Sequence, residues 1–171
     1  MTAASGRTDR DAEEPALAST DGRQSPRALA IARGALRTLL QLGLRGLPEV
    51  ELANGRRADL MAVSEAGEIW IIEVKSSVED FRSDQKWAEY RPFCDRLLFA
   101  VDREFPQDLI PADAGLIVAD RFGGELLRRS AAHPLSAQRR KALMLRFARI
   151  AAGRLMSLAD PGHRLDLPPR A

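Results

Sequence analysis

Residues 57–77 read RADLMAVSEAGEIWIIEVKSS, two largely apolar runs joined by a short glycine-containing turn. Apolar runs of this length, bounded by turn residues, predict two strands, over residues 57–63 and 68–75. A three-residue turn at 65–67 joins two strands most readily as an antiparallel hairpin. The sequence therefore predicts a β-hairpin as the central element of the chain.

The register of this hairpin brings three charged side chains together. Counting back from the turn places Asp59 directly opposite Glu73, with Cβ atoms about 5 Å apart. Because strand side chains alternate between faces, Lys75 lies on the same face as Glu73, two residues further along. The rest of that face is apolar: Met61, Val63, Ile69 and Ile71. The three charges are therefore predicted at the edge of a face that looks toward the core.

The two carboxylates of Asp59 and Glu73 point to a metal site. Carboxylates held this close repel each other unless one is protonated or a cation lies between them. Mg²⁺ (or Mn²⁺) suits such a place, because it binds one or two carboxylates together with water and substrate phosphate. With Lys75 beside the ion to polarise a water or to stabilise charge on phosphate, the set predicts metal-assisted phosphodiester hydrolysis. The alternative is a charge cluster that only solvates the open end of the hairpin.

The rest of the sequence predicts helices packed against a mixed sheet. Hydroxyl caps mark two helix starts, at Ser25 before Pro26 and at Ser77. Apolar residues at spacings of three and four mark helices, and short apolar runs mark further strands. The predicted elements are a helix over 25–43, strands over 47–52, 57–63 and 68–75, a helix over 77–90, strands over 97–101 and 116–119, and a long helix over about 134–158. This order indicates a single α/β domain over residues 25–159, with a mixed central sheet flanked by helices and a long C-terminal helix.

Composition restricts the class of protein. The chain has 171 residues, of which 45% are hydrophobic and 29% charged, and one cysteine, Cys94, which excludes a disulfide framework and a cysteine-rich zinc module. No apolar run reaches the roughly 20 residues that span a bilayer, and the amino terminus lacks the apolar core of a secretory signal, so we expect a cytoplasmic protein without a membrane partner. Residues 1–24 predict a disordered tail and residues 160–171 a flexible one.

Basic residues are concentrated toward the C-terminus. Although the net charge is only +2, residues 121–154 contain nine basic residues and one acidic residue. The predicted C-terminal helix has an apolar face made of Leu143, Phe147, Ile150, Ala151 and Leu158. Arg139, Arg146 and Arg149 lie beside that face. These arginines either contact phosphates of a nucleic acid or form a solvated flank of a surface helix. Arg56 and Arg57, which lead into the Asp59 strand, are a second candidate contact for the DNA backbone.

The hairpin motif resembles that of a nuclease superfamily. Asp59 followed fourteen residues later by Glu73-Val74-Lys75, on a hairpin preceded by a helix and a strand, is similar to the PD-(D/E)xK nucleases. That superfamily includes archaeal-type Holliday junction resolvases and many restriction enzymes. More narrowly, about residues 28–158 resemble the MmcB family of bacterial DNA-repair endonucleases. The segments that carry this resemblance are LANGRRADLMAV (52–63), IIEVKSSVEDFRSDQKWAEYRPFCDRLLFAV (71–101) and RRKALMLRFAR (139–149).

The resemblance implies a restriction-endonuclease-like fold and a role in DNA repair and damage tolerance alongside lesion-bypass proteins. It implies that Asp59 and Glu73 are metal ligands for Mg²⁺ or Mn²⁺ and that Lys75 is the catalytic lysine. Resolvase-type members often carry a glutamate in the first helix, which has no acidic residue here, so Glu49 (with Glu51) in the next strand is the nearest substitute. Polar residues after the motif are candidate auxiliary groups: Ser76, Gln85 and Lys86.

The residues leave two further questions open. The chief alternative function is a catalytically silent member of the fold that serves as a DNA-binding or adaptor module in a lesion-bypass repair complex. An RNA-directed nuclease is a third interpretation. Resolvases of this fold act as dimers, which leaves a homodimer as a further expectation.

Overall fold

A six-stranded mixed sheet forms the centre of the computed structural model, which describes residues 24–84 and 86–162. The strands follow the chain in the spatial order β1-β2-β3-β4-β5-β6. They are β1 (Arg45–Glu51), β2 (Arg57–Val63), β3 (Ile69–Val74), β4 (Arg96–Val101), β5 (Gly115–Ala119) and β6 (Gly124–Arg128). Strands β3, β4 and β5 are parallel, and the other neighbours are antiparallel.

Three α-helices accompany the sheet: α1 (Pro26–Gln41), α2 (Val78–Ser83) and α3 (Ala137–Ala159). Two 3₁₀-helices lie between strands, over Lys86–Phe93 and Gln107–Leu109. The predicted α/β class, the mixed sheet with flanking helices and the long C-terminal helix are confirmed. The predicted tails lie outside the described residues, apart from Gln24 and residues 160–162.

The hairpin register agrees with the sequence prediction. In the β2–β3 ladder Leu60 pairs with Ile72 and Val63 pairs with Ile69, so the next pair along is Asp59 with Glu73. Strand β1 is an edge strand and contains Pro48, which has no N–H to donate to a second neighbouring strand.

The two faces of the sheet bury different halves of the core. On one face Trp70 and Ile72 pack with residues of α1 such as Ile31 and Leu39. On the other, Met61 and Ile71 pack with Leu143 of α3, together with the following group: Val50, Leu52, Tyr90, Cys94 and Leu97, with Phe147 and Ile150 partly buried against them. The core therefore follows the predicted alternation along β2 and β3, in which Met61 and Ile71 share a face with Asp59 and Glu73.

The predicted apolar face of α3 is wrong at its C-terminal end. Leu158 is 79% exposed, although Leu143 is buried. The guanidinium of Arg154 donates to main-chain oxygens of Pro48 and Glu49 in the edge strand β1. The helical turns that follow Arg154 continue past that contact and leave their apolar side chains in solvent.

Two local predictions also need correction. The helix expected over 77–90 ends at Ser83, and a separate 3₁₀-helix follows. The break occurs where the Asp84 carboxylate accepts the Lys86 N–H, a side-chain contact that competes with continued helix. The sequence does not predict strand β6, because its segment GELLR is short and contains good helix formers, and pairing with β5 decides its conformation.

Gly34 provides a test of how α1 packs on the sheet. A Cβ atom at this position would lie 1.9 Å from the main-chain oxygen of Asp120 and 2.6 Å from that of Gly123. We expect Gly34→Ala to lower the free energy of unfolding by about 1–3 kcal/mol, because α1 must move away from the loop. Thermal denaturation should show a melting temperature lower by several degrees.

The matched control is Gly153→Ala in α3, where a Cβ would meet no heavy atom within 4 Å. This substitution should raise stability by roughly 0.5–1 kcal/mol, the usual gain from replacing a helical glycine. Equal melting temperatures for the two variants would contradict the close approach of α1 to residues 120–123.

Candidate active site

The strands β2 and β3 separate at Asp59 and Glu73. Their backbone ladder ends at Leu60 and Ile72. At the next position the Asp59 N–H donates to Oε1 of Glu73 (3.3 Å), and the Val74 N–H donates to Oδ2 of Asp59 (2.8 Å). Side-chain carboxylates therefore replace the main-chain partners at the point where the hairpin opens.

Beyond this point β3 continues against β4, where the Lys75 N–H donates to the main-chain oxygen of Ala100 (2.9 Å). A cavity of about 430 Å³ opens beside the separated strands. Its charged lining residues are Asp59, Glu73, Lys75, Asp80 and Asp84. Four carboxylates and one ammonium give this cavity an excess of acidic groups, which favours a bound cation.

The carboxylate pair is costly to ionise as it stands. Glu73 is 3% exposed. Burial raises the pKa of Asp59 to about 6. Burial and the neighbouring Asp59 charge raise the pKa of Glu73 well above its usual value. A divalent cation between the two groups would reverse both effects, because it stabilises the ionised carboxylates.

The donor set fits Mg²⁺ or Mn²⁺. Asp59 and Glu73 both offer hard carboxylate oxygens on adjoining strands, the chemistry these ions prefer. In residues 24–84 and 86–162 no three or more His, Cys, Asp or Glu side chains are grouped so that they could hold one ion. The protein would thus supply two carboxylates, and water and substrate oxygens would complete the shell, as is common for Mg²⁺.

Lys75 is buried and ion-paired. Its side chain is 4% exposed, and Nζ donates to Oδ2 of Asp84 at 2.5 Å. Burial opposes the charge on Lys75, but the hydrogen bond and charge of Asp84 outweigh it and raise the pKa of Lys75. Burial likewise opposes the charge on Asp84, and the Lys75 ammonium outweighs it and lowers the pKa of Asp84. The ion pair with Asp84 therefore favours the charged, hydrogen-bond-donating form of Lys75.

Asp84 is a site residue that sequence reasoning misses. The predicted continuous helix over 77–90 places it within a regular helical face. In the structure α2 ends one residue earlier, so Asp84 caps the helix and its carboxylate reaches Lys75. The available signal in the sequence is the acidic group Glu79, Asp80 and Asp84 within nine residues of Lys75.

The three candidate auxiliary residues differ in their position relative to the cavity. Ser76 lines the cavity with the carboxylates. Lys86 is exposed, and its main-chain N–H donates to Asp84 Oδ1 (3.0 Å). Gln85 lies outside the described residues. The roles of all three stay predictions.

Glu49 stands in register opposite Asp59 but is not among the residues that line the cavity. Its backbone adopts a left-handed conformation (φ 49°) that departs from regular strand geometry. Its carboxylate is 7% exposed and lies 3.9 Å from the guanidinium of Arg57. A ligand role for Glu49 stays a prediction.

The predicted DNA-contacting arginines beside the site already have partners. Arg56 forms a two-pronged ion pair with Glu89, with both N···O distances at 2.8 Å. Arg57 faces Glu49, and its main-chain oxygen accepts the Tyr90 hydroxyl (3.0 Å). Phosphate would have to compete with these contacts or extend them.

The three arginines of α3 that the sequence predicts to contact DNA lie in different settings. Arg139 donates to the main-chain oxygen of Pro92 and covers the ring of Phe93. Arg146 donates to the main-chain oxygen of Glu51 (2.6 Å). Arg149 is exposed. None of the three lines the cavity, so a DNA contact by α3 would be made outside it.

The chain is similar to known proteins over most of its length. A family model described as DNA repair protein MmcB-like matches residues 15–162. The chain belongs to the MmcB-like family. Among solved structures, the SPO1766 protein of unknown function from Silicibacter pomeroyi is 42% identical, with a TM-score of 0.80 over 84% of this chain and 99% of that chain. No curated protein matches the chain.

Membership of the MmcB-like family confirms the expected association with DNA repair at the level of the family description. The relative SPO1766 shares the fold and nearly all of its length with this MmcB-like chain, and its description names no activity. Within the described part of the chain, no helix has both the length and the apolar character needed to cross a membrane.

Proposed function

We propose that this protein is a metal-dependent DNA endonuclease of the PD-(D/E)xK type that acts in DNA repair and damage tolerance. The observation that carries the proposal is the carboxylate pair of the half-buried Asp59 and the buried Glu73 at the opening of the hairpin, with Lys75 and a cavity beside it. Two carboxylates this close and this poorly solvated are costly to ionise, and a cation between them, with phosphate as a further ligand, would remove that cost.

Each residue has a distinct role in this proposal. Asp59 and Glu73 hold the metal ion, which when bound lowers the pKa of water and stabilises charge on phosphate. Lys75 donates a hydrogen bond to a phosphate oxygen and stabilises the charge that develops there. Its raised pKa supports this donor role over water activation by Lys75 as a base. Asp84 orients the lysine through their ion pair.

The second candidate is the catalytically silent DNA-binding or adaptor module. The observation that favours it is the ion pair between Lys75 and Asp84, which already neutralises the ammonium charge that catalysis would use on phosphate. In this alternative the fold is retained for binding DNA or lesion-bypass proteins, and no phosphodiester bond is cut.

A cleavage assay with Mg²⁺ and Mn²⁺ tests the proposal. Single-stranded, duplex, flapped and four-way DNA, and single-stranded RNA, should be offered to the wild type and to Asp59→Asn. We expect metal-dependent cutting of at least one DNA by the wild type and none by the variant. Calorimetry should show an affinity for Mn²⁺ that is at least about 10- to 100-fold lower in Asp59→Asn than in the wild type. Metal affinity falls by that much even when only a residue that hydrogen-bonds to a metal ligand is replaced.

Asp59→Asn is a conservative change, because the asparagine oxygen can still accept the Val74 N–H. The matched control is Asp108→Asn, an exposed acidic residue in the second 3₁₀-helix, which should leave both readouts unchanged. If DNA is bound but no substrate is cut with either metal, the nuclease proposal fails and the adaptor takes its place.

A further inference from the structure

The loop between β5 and β6, residues 120–123, presents an aromatic ring to solvent. All nine aromatic side chains of the chain lie in the described residues, and Phe122, at 68% exposure, is the exposed one. The others are buried or half-buried in the core clusters, for example Phe99 and Phe105. A single exposed apolar residue is common on protein surfaces, so the way the ring is held decides its meaning.

The loop that carries Phe122 is fixed by several independent contacts. Oδ1 of Asp120 accepts the N–H groups of Phe122 (2.8 Å) and Gly123 (3.2 Å), and the Asp120 N–H donates to the Gly123 oxygen (2.9 Å). From α1, the Arg37 guanidinium donates to the main-chain oxygens of Arg121 (3.1 Å) and Phe122 (3.2 Å). The exposed ring is therefore presented by a preorganised loop, a condition that lowers the entropy cost of binding.

The surroundings of the ring suit a nucleotide. The Arg121 guanidinium lies over one face of the Phe122 ring, with its central carbon 4.5 Å from the ring centroid, so a base would stack on the opposite face. Asp120 and Gly123 also line a cavity of about 380 Å³, together with Arg103 and the half-exposed Leu127. Aromatic rings next to arginines are the usual elements that bind unpaired bases and the phosphates between them. The carboxylate of Asp120 is engaged by the loop, which leaves Glu125 as the acidic group of this cavity.

The loop lies on the same edge of the sheet as the candidate active site. Strands β3, β4 and β5 are parallel, and Ala100 pairs with both Val74 and Ile117, which sets Lys75 level with Val118. Two strand spacings separate these positions, roughly 10 Å. The 120–123 loop follows directly after β5, so it begins at the edge of the sheet where Lys75 lies.

We propose that the 120–123 loop is a nucleobase-stacking site, in which Phe122 stacks on an unpaired base and Arg121 and Arg103 bind the adjoining phosphates. The inference rests on the proposed function and narrows its substrate to DNA with unpaired bases: single strands, flaps and distorted sites. A fully paired duplex keeps its base faces covered and offers the ring no partner, so blunt duplex is excluded from this contact.

Fluorescence anisotropy of labelled DNA with the full-length chain tests the inference, at fixed salt, in EDTA and again with Mg²⁺. The probes are a single strand, a flapped duplex and a blunt duplex, and the variants are Phe122→Ala, Phe122→Leu and Phe122→Trp. We expect Phe122→Ala and Phe122→Leu to bind the single strand and the flapped duplex about 5- to 150-fold more weakly than the wild type. This is the effect of losing one stacked base. Trp, which retains stacking, should keep wild-type affinity, and blunt-duplex binding should be unchanged in all variants.

Melting temperatures of the three variants should equal that of the wild type, because the ring is exposed and the loop is held through main-chain atoms. Unchanged affinity of Phe122→Ala for every DNA overturns the stacking site, and wild-type cleavage of DNA then still supports the proposed function. Equal weakening on blunt duplex overturns it as well, since the contact would not depend on an unpaired base. If the wild type binds none of the DNAs, the proposed function and the stacking site both fall.

Discussion

Lys75→Met is expected to reduce metal-dependent DNA cleavage by about 10²- to 10⁴-fold, the range for losing one catalytic group that handles charge or a proton. The Lys75 side chain is 4% exposed and stays charged at neutral pH because Asp84 raises its pKa. Methionine has similar length without the charge, so it removes the donor and leaves the packing. Asp59 and Glu73 are untouched, and affinities for Mn²⁺ and DNA should stay within severalfold of wild type.

Single-turnover cleavage at saturating enzyme measures this effect, since it separates the chemical step from binding. Calorimetric titration with Mn²⁺ checks that the metal site survives. The matched control is Lys141→Met. It removes an exposed lysine of α3 that does not line the cavity. Wild-type cleavage by Lys75→Met would refute the catalytic role of the lysine, and a parallel loss of Mn²⁺ binding would show that its role is to support the metal site.

The hairpin can be predicted from the sequence because its geometry is set locally. A three-residue turn fixes the register, and alternation along two strands fixes the faces, so these two rules alone place Asp59, Glu73 and Lys75 on one side. Their arrangement depends on about twenty consecutive residues. Because this arrangement depends on consecutive residues, the carboxylate pair can be predicted from the sequence.

The parts that the sequence does not reveal depend on contacts between distant segments. Asp84 reaches Lys75 only because α2 stops after Ser83, and helix propensity alone does not place that end. Strand β6 forms because β5 offers it an edge. Phe122 is significant only because Asp120 and Arg37 hold its loop, and Arg37 lies 85 residues away in the chain. Patterns of spacing carry no information on such pairings.

Asp95 also depends on contacts between segments that are distant in the sequence, and its replacement should have a large effect on stability. This residue precedes β4, is 3% exposed, and accepts four hydrogen bonds. Its partners are the N–H groups of Ile69 (2.8 Å) and Leu135 (3.0 Å) and two nitrogens of Arg140 (2.6 and 2.8 Å). One carboxylate thus joins the start of β3 to the first turn of α3 and to the segment before it.

Asp95→Asn is expected to lower the free energy of unfolding by about 3 kcal/mol. Each carboxylate oxygen of Asp95 accepts one main-chain N–H and one Arg140 N–H. In asparagine an amide nitrogen replaces one of these oxygens, and because it cannot accept, the two donors on that side lose their partner. This value is at the lower end of the range for a broken buried ion pair, because Arg140 is 30% exposed and regains water. Urea unfolding at pH 7 measures the loss directly, and the melting temperature should fall by roughly 6–12 °C. Glu89→Gln, which breaks the exposed pair with Arg56, is the matched control and should cost little.

The same carboxylate should make stability depend on pH in a defined window. Burial opposes its charge, but the hydrogen bonds from Arg140, Ile69 and Leu135 outweigh burial and lower the pKa of Asp95. A carboxylate with a lowered pKa in the folded state stabilises the protein fully above its unfolded pKa, near 4, and loses that contribution as pH falls toward the folded value. The stability difference between wild type and Asp95→Asn should therefore be constant from pH 7 to about 5 and shrink below about 4. A difference that stays constant down to pH 3 would contradict the ionised Asp95 as the group that ties α3 to the sheet.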